Sequence, residues 1–222
     1  MMRQRGISFF QDAWHWIGGV RFDVIFDVGA NVGQSAHVFA EMVPQASIWC
    51  FEPVERAFKE LKRNVAYFPN VKPYRLAIGA TGGWADMHVA EETSLSSISV
   101  NAPGSVVEVV PMVTLDEFCG ASGIERIDFL KIDTEGHDVD VLHGAFRMLT
   151  SGRVNFVQVE ASFYGWNKRF VELGRFVDFM DQFGFEIFGI YDQMAHPTGR
   201  PSIAYFNAVF VNSTLLKEPP WS

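Results

Sequence analysis

The sequence contains few cysteines and no long apolar run, so it lacks two features that are typical of disulfide-rich secreted proteins and of membrane proteins. Its 222 residues include two cysteines, Cys50 and Cys119, which excludes a disulfide-stapled scaffold and a cysteine-rich metal site. No apolar run reaches the roughly eighteen residues of a membrane-spanning helix. Residues 1–20 show no signal-peptide core followed by a cleavage site. We therefore expect a cytoplasmic protein with no membrane partner.

Basic residues are also scarce, with 18 Lys and Arg against 26 Asp and Glu and a formal net charge of −8. Because nucleic-acid phosphates are normally met by a basic surface, no nucleic-acid partner is expected. The sequence shows no internal repeat, linker or low-complexity tract. Its length and its 48% hydrophobic content predict one α/β domain. Residues 1–20 are expected to be a helical lead-in, and residues 80–113 a small β-rich excursion.

The predicted domain opens with a buried strand that runs into a glycine-rich turn. Residues 24–28 are mostly branched and apolar, as in a parallel strand covered on both faces. Asp27 is predicted to accept hydrogen bonds from the turn or from a ligand. Gly29 is expected to let the chain approach that ligand closely, and Gly33 to let the following helix pack on the strand.

The spacing of these glycines indicates which cofactor the turn binds. A dinucleotide site requires G-x-G-x-x-G, but Asn31 occupies the middle glycine position here and Gln34 the last. Their side chains disfavour a pyrophosphate, and with it NAD or FAD. The spacing instead favours S-adenosylmethionine, which has no phosphate and has an amino-acid end that polar groups such as Asn31 and Gln34 hold.

A second strand, residues 47–51, ends at Glu52 and Pro53, about twenty residues beyond Gly29. A carboxylate at this distance binds the two ribose hydroxyls in Rossmann-like folds, since it accepts both hydrogen bonds. Glu52 and Pro53 are therefore assigned to the cofactor site. The alternative is that Glu52 only caps the next helix.

The third strand is predicted over residues 71–78. It brings Ala77 and Ile78 to the carboxyl edge of the sheet, where an adenine ring would lie against apolar side chains. The polar loop 91–97, which contains Ser97, is expected either to close over the cofactor or to be an ordinary surface connection.

The segment with the most ionisable side chains follows the strand predicted over residues 127–133. Ligands of open α/β sheets bind beyond the carboxyl ends of strands, so Asp133, Glu135 and His137 are predicted to lie near the chemistry. Lys131 shares a strand face with Asp133, and its burial would require a carboxylate partner. The next strand, residues 156–160, places Glu160 at the same edge. The connector that contains Asp192 is expected to help line a pocket if one opens at this edge.

These motifs resemble the FkbM family of S-adenosylmethionine-dependent methyltransferases. The matching segments are residues 26–33, 51–53, 96–98, 114–116, 130–138 and 141–145. The resemblance implies a class I Rossmann-like fold: a three-layer α/β structure whose doubly wound sheet has about seven mostly parallel strands and an antiparallel last strand. It implies methyl transfer to a hydroxyl of a sugar, a polyketide or another small secondary metabolite. The residues implied around the cofactor are Gly29, Ala30, Asn31, Gly33 and Glu52, with Ser97 and Asp133 nearby.

Methyl transfer to an alcohol requires removal of the hydroxyl proton, and Asp133, Glu160 or His137 is a candidate for the base. Alternatively, Asp133, Glu135, His137 and Glu160 together hold a divalent cation that lowers the pKa of the acceptor. Two other functions stay open. One is an NAD-dependent oxidoreductase that uses Glu52, and the other is a non-catalytic cofactor-binding protein on the same fold.

Overall fold

A computed structural model of the chain describes residues 8–89, 106–165, 170–196 and 202–216. The predicted loop 91–97, with Ser97, lies outside the described residues. The helices are α1 (Phe9–Trp16), α2 (Gln34–Met42), α3 (Glu55–Asn64), α4 (Leu115–Ser122), α5 (Asp138–Gly144), α6 (Phe146–Thr150) and α7 (Leu173–Asp181). The strands are β1 (Val24–Val28), β2 (Ser47–Phe51), β3 (Val71–Tyr74), β4 (Ala77–Ile78), β5 (Gly83–Val89), β6 (Val106–Val113), β7 (Ile127–Ile132), β8 (Val154–Ser162), β9 (Val171–Glu172), β10 (Phe185–Ala195) and β11 (Ile203–Asn212).

The main sheet has the strand order β10-β11-β8-β7-β1-β2-β3, and β9 pairs with β8 outside this path. The pairs from β8 through β7, β1 and β2 to β3 are parallel. The last strand, β11, is antiparallel to both β8 and β10. The predicted mostly parallel sheet with an antiparallel last strand is therefore confirmed.

Helices cover both faces of this sheet because successive residues of a buried strand point to opposite sides. Phe26 and Leu130 belong to a core that α4, α5, α6 and α7 complete. Their neighbours Ile25 and Phe129 belong to a second core, which α1, α2 and α3 cover. In that second core, the rings of Phe9 and Phe129 stack with their centroids 4.6 Å apart. The result is the doubly wound three-layer architecture.

A smaller sheet of order β4-β6-β5 lies beside the main one. It changes one sequence prediction, because the strand expected over residues 71–78 is two strands in two different sheets. β3 lies at the edge of the main sheet and contains Pro73, which has no backbone N–H to donate to a ladder. The chain then crosses to the smaller sheet, where Ala77 pairs with Met112.

Strand β10 also runs further than predicted, so Asp192 lies within a strand and not in a connector. Helix α7 begins only at Leu173, because residues 171 and 172 pair with β8 as β9. Within the described residues, no helix has both the length and the apolar character needed to cross a membrane.

Candidate functional site

A cavity opens where β1, β2 and β7 end at the carboxyl edge of the main sheet. With the open solvent at its mouth included, it has a volume of about 620 Å³. Its lining residues are Val28, Gly29, Phe51, Glu52, Pro53, Val54, Leu76, Ala77, Ile78, Met87, Asp133, Thr134, Glu135 and His137. We call it the edge cavity.

Glu52 is the acidic group on the β2 side of the edge cavity, and only 7% of its surface is exposed. Its Oε2 accepts a hydrogen bond from the Asn31 backbone N–H at 3.0 Å, and its Oε1 accepts one from the Val54 N–H at 2.8 Å. Burial raises the pKa of Glu52 to about 7, although the two backbone donors act against that shift. The bond from Val54 fixes the chain directly before α3, and the carboxylate lines the cavity as well.

The turn after β1 packs against the end of β7. Gly29 has a φ of 80°, and a Cβ at this position would lie 1.9 Å from the carbonyl oxygen of Asp133. The backbone N–H groups of Gly29 and Ala30 both donate to the Phe51 carbonyl at 3.0 Å. Gly29 is therefore needed for a close contact between two chain segments, in addition to any approach to a ligand.

Gly33 serves a different contact from the one predicted. Its φ is 95°, and a Cβ there would lie 2.9 Å from Leu61 Cδ1 and 3.2 Å from Val65 Cγ1. Both neighbours belong to α3 or its C-terminal cap, not to β1. The missing side chain thus makes room for α3 and not for the predicted strand, although α2 does pack on β1 and β2 through Ala36, Phe39 and Ala40.

Lys131 links two carboxylates behind the edge cavity. Its Nζ lies 3.2 Å from Asp27 Oδ1 and 3.2 Å from Asp133 Oδ2, which confirms the expected carboxylate partner. Burial lowers the pKa of Lys131, but the charges of Asp133 and Asp27 outweigh it and raise that pKa above the usual range. The lysine is therefore charged.

Asp27 itself is fully buried and does not line the cavity. Burial raises its pKa more than the neighbouring Lys131 lowers it. The predicted contact between Asp27 and a ligand is not available in this structure, because the side chain turns toward the lysine. Asp27 therefore lies behind the cavity wall, where it pairs with Lys131.

The turn that follows β7 is held in a defined conformation. Glu135 has a φ of 53° and Gly136 one of 99°, and the left-handed region costs a non-glycine residue roughly 1–2 kcal/mol. Asp138, buried at the start of α5, compensates by accepting 2.8 Å hydrogen bonds from both the N–H and the hydroxyl of Thr134. Burial raises the pKa of Asp138 to about 6. The turn therefore presents Thr134, Glu135 and His137 to the cavity.

The two other base candidates have different surroundings. His137 lines the cavity, and its Nδ1 lies 2.9 Å from Asp140 Oδ2. Glu160 lies on β8, outside the edge cavity lining. Burial, together with the charges of Asp133 and Glu135, raises the pKa of Glu160 to about 8.

The metal hypothesis receives no geometric support. In the part of the chain that the structure describes, no group of three or more His, Cys, Asp or Glu side chains is placed to hold a metal ion. Asp133, Glu135 and His137 share the cavity wall without forming such a group, and Glu160 lies apart from it.

The predicted cofactor residues divide between the edge cavity and its surroundings. The wall contains Gly29, Glu52, Pro53, Ala77, Ile78 and Asp133. Ala30, Asn31, Gly33 and Gln34 lie outside that wall. Sequence reasoning missed Leu76, Met87 and Thr134. Leu76 directly precedes the predicted adenine contacts, and Thr134 lies inside a motif already singled out. Met87 carries no local signal, because it comes from β5 of the smaller sheet.

The strand order and the cavity at the carboxyl edge define a Rossmann-like α/β protein. Fibrillarin from Aeropyrum pernix, solved with natively bound S-adenosylmethionine, has the same fold. Its TM-score is 0.51 at 15% identity, over 91% of this chain and 74% of that one. The sequence pattern of the methyltransferase FkbM domain matches residues 27–187. The chain therefore belongs to the FkbM methyltransferase domain family.

Two relatives share 30% identity with the chain. One is the 2-O-methyltransferase NoeI of Sinorhizobium fredii, aligned over 156 residues that make up 63% of each chain. The other is the hexuronic acid methyltransferase AglP of Haloferax volcanii, aligned over 139 residues, 62% of this chain and 55% of the relative. The chain thus spans less than two thirds of the length of each.

Proposed function

We propose that the chain is an S-adenosylmethionine-dependent methyltransferase that methylates a hydroxyl group of a sugar or another small secondary metabolite. The observation that carries this proposal is Glu52, an acidic side chain in the wall of the edge cavity at the end of β2. Family membership and the names of the two relatives support the same reaction type.

The residues of the edge cavity fit this cofactor. A carboxylate has about four acceptor positions, and two backbone N–H groups occupy two of those on Glu52. The remaining two suit a pair of ribose hydroxyls. Leu76, Ala77, Ile78 and Met87 supply an apolar wall for a flat adenine ring.

The amino-acid end of the cofactor belongs on the β1 and β7 side of the cavity. Gly29 and Asp133 meet there, and the nearby turn has polar side chains. Gln34 and Asn31 lie beyond this wall, and we keep them as cofactor contacts on the strength of the motif. We also propose Ser97 as a cofactor contact, because it belongs to the matching motif 96–98.

Bound S-adenosylmethionine supplies a methyl group that a sulfonium already makes electrophilic. The protein must then hold the acceptor hydroxyl in line and take its proton. We assign the proton to Glu160, because a carboxylate with a pKa of about 8 is a much stronger base than an ordinary one. Asp133, paired with Lys131, positions the reacting groups, and His137 supports the turn through Asp140.

The proposal is tested with isotope-labelled S-adenosylmethionine and a panel of neutral methyl pyranosides and the matching uronic acids, with product mass as the readout. Assays with and without a chelator test the divalent cation. Labelled product from the wild type, lost in Asp133→Ala and kept in the exposed-site control Glu125→Ala, is the expected result. Full activity of folded Asp133→Ala would remove Asp133 from the mechanism. A protein that binds NAD but not S-adenosylmethionine would overturn the proposal.

A further inference from the structure

A second cavity lies on the α1 and α2 side of the main sheet, and it encloses about 900 Å³ up to its open mouth. Its wall comes from both helices, from β7 and β8, and from the two antiparallel strands β10 and β11. We call it the helix-side cavity. Its lining residues are Ser8, Phe9, Phe10, Gln34, Ser35, Val38, Phe39, Phe129, Lys131, Gln158, Tyr191, Asp192 and Asn207.

One ion pair joins the two cavities. Lys131 lines the helix-side cavity, Asp133 lines the edge cavity, and Lys131 Nζ lies 3.2 Å from Asp133 Oδ2. Gln34, the first residue after the glycine turn, also lines the helix-side cavity. A molecule in this second cavity would therefore sit beside the β1 and β7 end of the edge cavity, where the amino-acid end of the cofactor and the adjoining methyl sulfonium are assigned.

Glu160 lies in the same region. On β8 it points to the same face as Gln158, two residues earlier, and in the sheet register it pairs with Asn207 of β11. Both of these neighbours line the helix-side cavity. The charges of Asp133 and Glu135 from the edge cavity also act on Glu160. The assigned base is thus adjacent to residues that line both cavities.

The wall of the helix-side cavity combines aromatic and polar side chains. Phe9, Phe10 and Tyr191 present rings, while Gln158 and Asn207 present amides. Aromatic rings with a few well-placed polar groups are typical of small-molecule sites. This combination suits a ring with one apolar face and several hydroxyl groups that exchange hydrogen bonds with amides.

The charges around the cavity favour a neutral occupant. Lys131 is already paired with Asp27 and Asp133, so the ion-paired group has an excess of one carboxylate. Asp192 adds an exposed carboxylate at the rim, where its Oδ2 accepts a 2.9 Å hydrogen bond from Asn207 Nδ2. An anionic acceptor would meet these negative charges with no free cation among the described lining residues.

We propose that the helix-side cavity binds the methyl acceptor, and that this acceptor is an uncharged polyhydroxylated ring, such as a neutral saccharide unit. The inference rests on the proposed function, since it names the substrate class for that reaction.

Binding of the acceptor in the helix-side cavity is tested with a variant whose larger side chain takes up part of the cavity. Val38 lies on α2 in the cavity wall and is 50% exposed, so Val38→Trp adds bulk to the cavity without burying a new group in the core. Val109→Trp, at a 58% exposed valine of β6 outside both cavities, is the matched control. The measurements are saturation-transfer NMR with methyl glucoside, methyl galactoside and methyl mannoside, and calorimetric titration with S-adenosylmethionine.

The expected result is that Val38→Trp lowers pyranoside affinity at least about tenfold, equivalent to about 1.4 kcal/mol, and leaves cofactor affinity within about twofold. Val109→Trp should change neither. If the wild type binds the cofactor but none of the pyranosides, or if Val38→Trp binds pyranoside normally, the inference is overturned while the proposed function stands. If the wild type fails to bind the cofactor, the proposed function falls first.

Charge selectivity is tested with methyl glucoside against methyl glucuronide, which share one ring and differ by one carboxylate. The wild type should prefer the glucoside. Asp192→Asn, which removes the rim charge, should raise the ratio of glucuronide to glucoside affinity about two- to threefold, as for a surface charge. Asparagine tolerates the φ of 47° at this position. A wild-type preference for the glucuronide would overturn the assignment of a neutral acceptor.

Discussion

The Cα of Gly29 and the carbonyl of Asp133 approach so closely that a Cβ at residue 29 would lie 1.9 Å from the carbonyl oxygen. The contact joins the turn after β1 to the end of β7, and both segments line the edge cavity. The shape of this cavity therefore depends on one missing methyl group.

Gly29→Ala should destabilise the protein by about 2–4 kcal/mol, because the new methyl group overlaps backbone and the φ of 80° disfavours alanine. Thermal unfolding of the purified variant measures this effect. Gly120→Ala is the control, since Gly120 lies inside α4 with nothing within 4 Å of the added Cβ. The control should be unchanged or more stable. Equal melting temperatures for the two variants would refute the close contact.

Lys131→Met should destabilise the protein by about 3–5 kcal/mol, because it leaves the fully buried Asp27 without its cation. Denaturant unfolding at pH 8 measures the loss. The pKa of Asp27 is already raised by burial in the wild type, and removal of the lysine raises it further.

The sign of the pH dependence follows from that shift. A carboxyl whose pKa is higher in the folded than in the unfolded state gains stability as it is protonated, and it loses that stability as the pH rises through the folded pKa. The loss of unfolding free energy in Lys131→Met, relative to the wild type, should therefore become smaller on acidification from pH 8 toward pH 5. Asp27→Asn/Lys131→Met should recover part of the loss at pH 8. A deficit that stays constant with pH would show that the ion pair is not its cause.

Turnover should rise with pH through about 8 if Glu160 takes the acceptor proton, since only the ionised carboxylate is a base and burial raises its pKa to about 8. Glu160→Gln should abolish this rise of turnover with pH and lower kcat at least about a hundredfold. His137→Gln is the comparison, because it removes the other candidate base. If turnover of Glu160→Gln still rose with pH near 8, another group would be the base that takes the proton.

Much of the fold follows from local patterns in the sequence. β1 and β2 occupy the predicted residues 24–28 and 47–51. They were predictable because an apolar run of strand length is typical of a strand buried on both faces. The need of Lys131 for a carboxylate was also predictable, since a buried charge demands a partner. Asp133 was the expected neighbour on the same face.

The remaining features depend on contacts between distant segments. Met87 reaches the edge cavity because β5 folds back in a separate sheet, and Gly33 meets α3, which begins some twenty residues later. The helix-side cavity combines α1 with β10, two elements at opposite ends of the described chain. No periodicity within a window of residues reports such contacts, so only the assembled structure shows them.

The most direct test of the account is the affinity for S-adenosylmethionine, measured by calorimetry at pH 6, 7 and 8 for the wild type and Glu52→Gln, with Glu125→Gln as the exposed-site control. Ribose hydroxyls bind the ionised carboxylate, and burial raises the pKa of Glu52 to about 7. Wild-type affinity should therefore rise about tenfold from pH 6 to pH 8, and the control should behave alike. Glu52→Gln should bind more weakly at pH 8 and show no such rise. Undiminished cofactor binding by Glu52→Gln, with the wild-type pH dependence, would contradict the assignment of the edge cavity as the cofactor site.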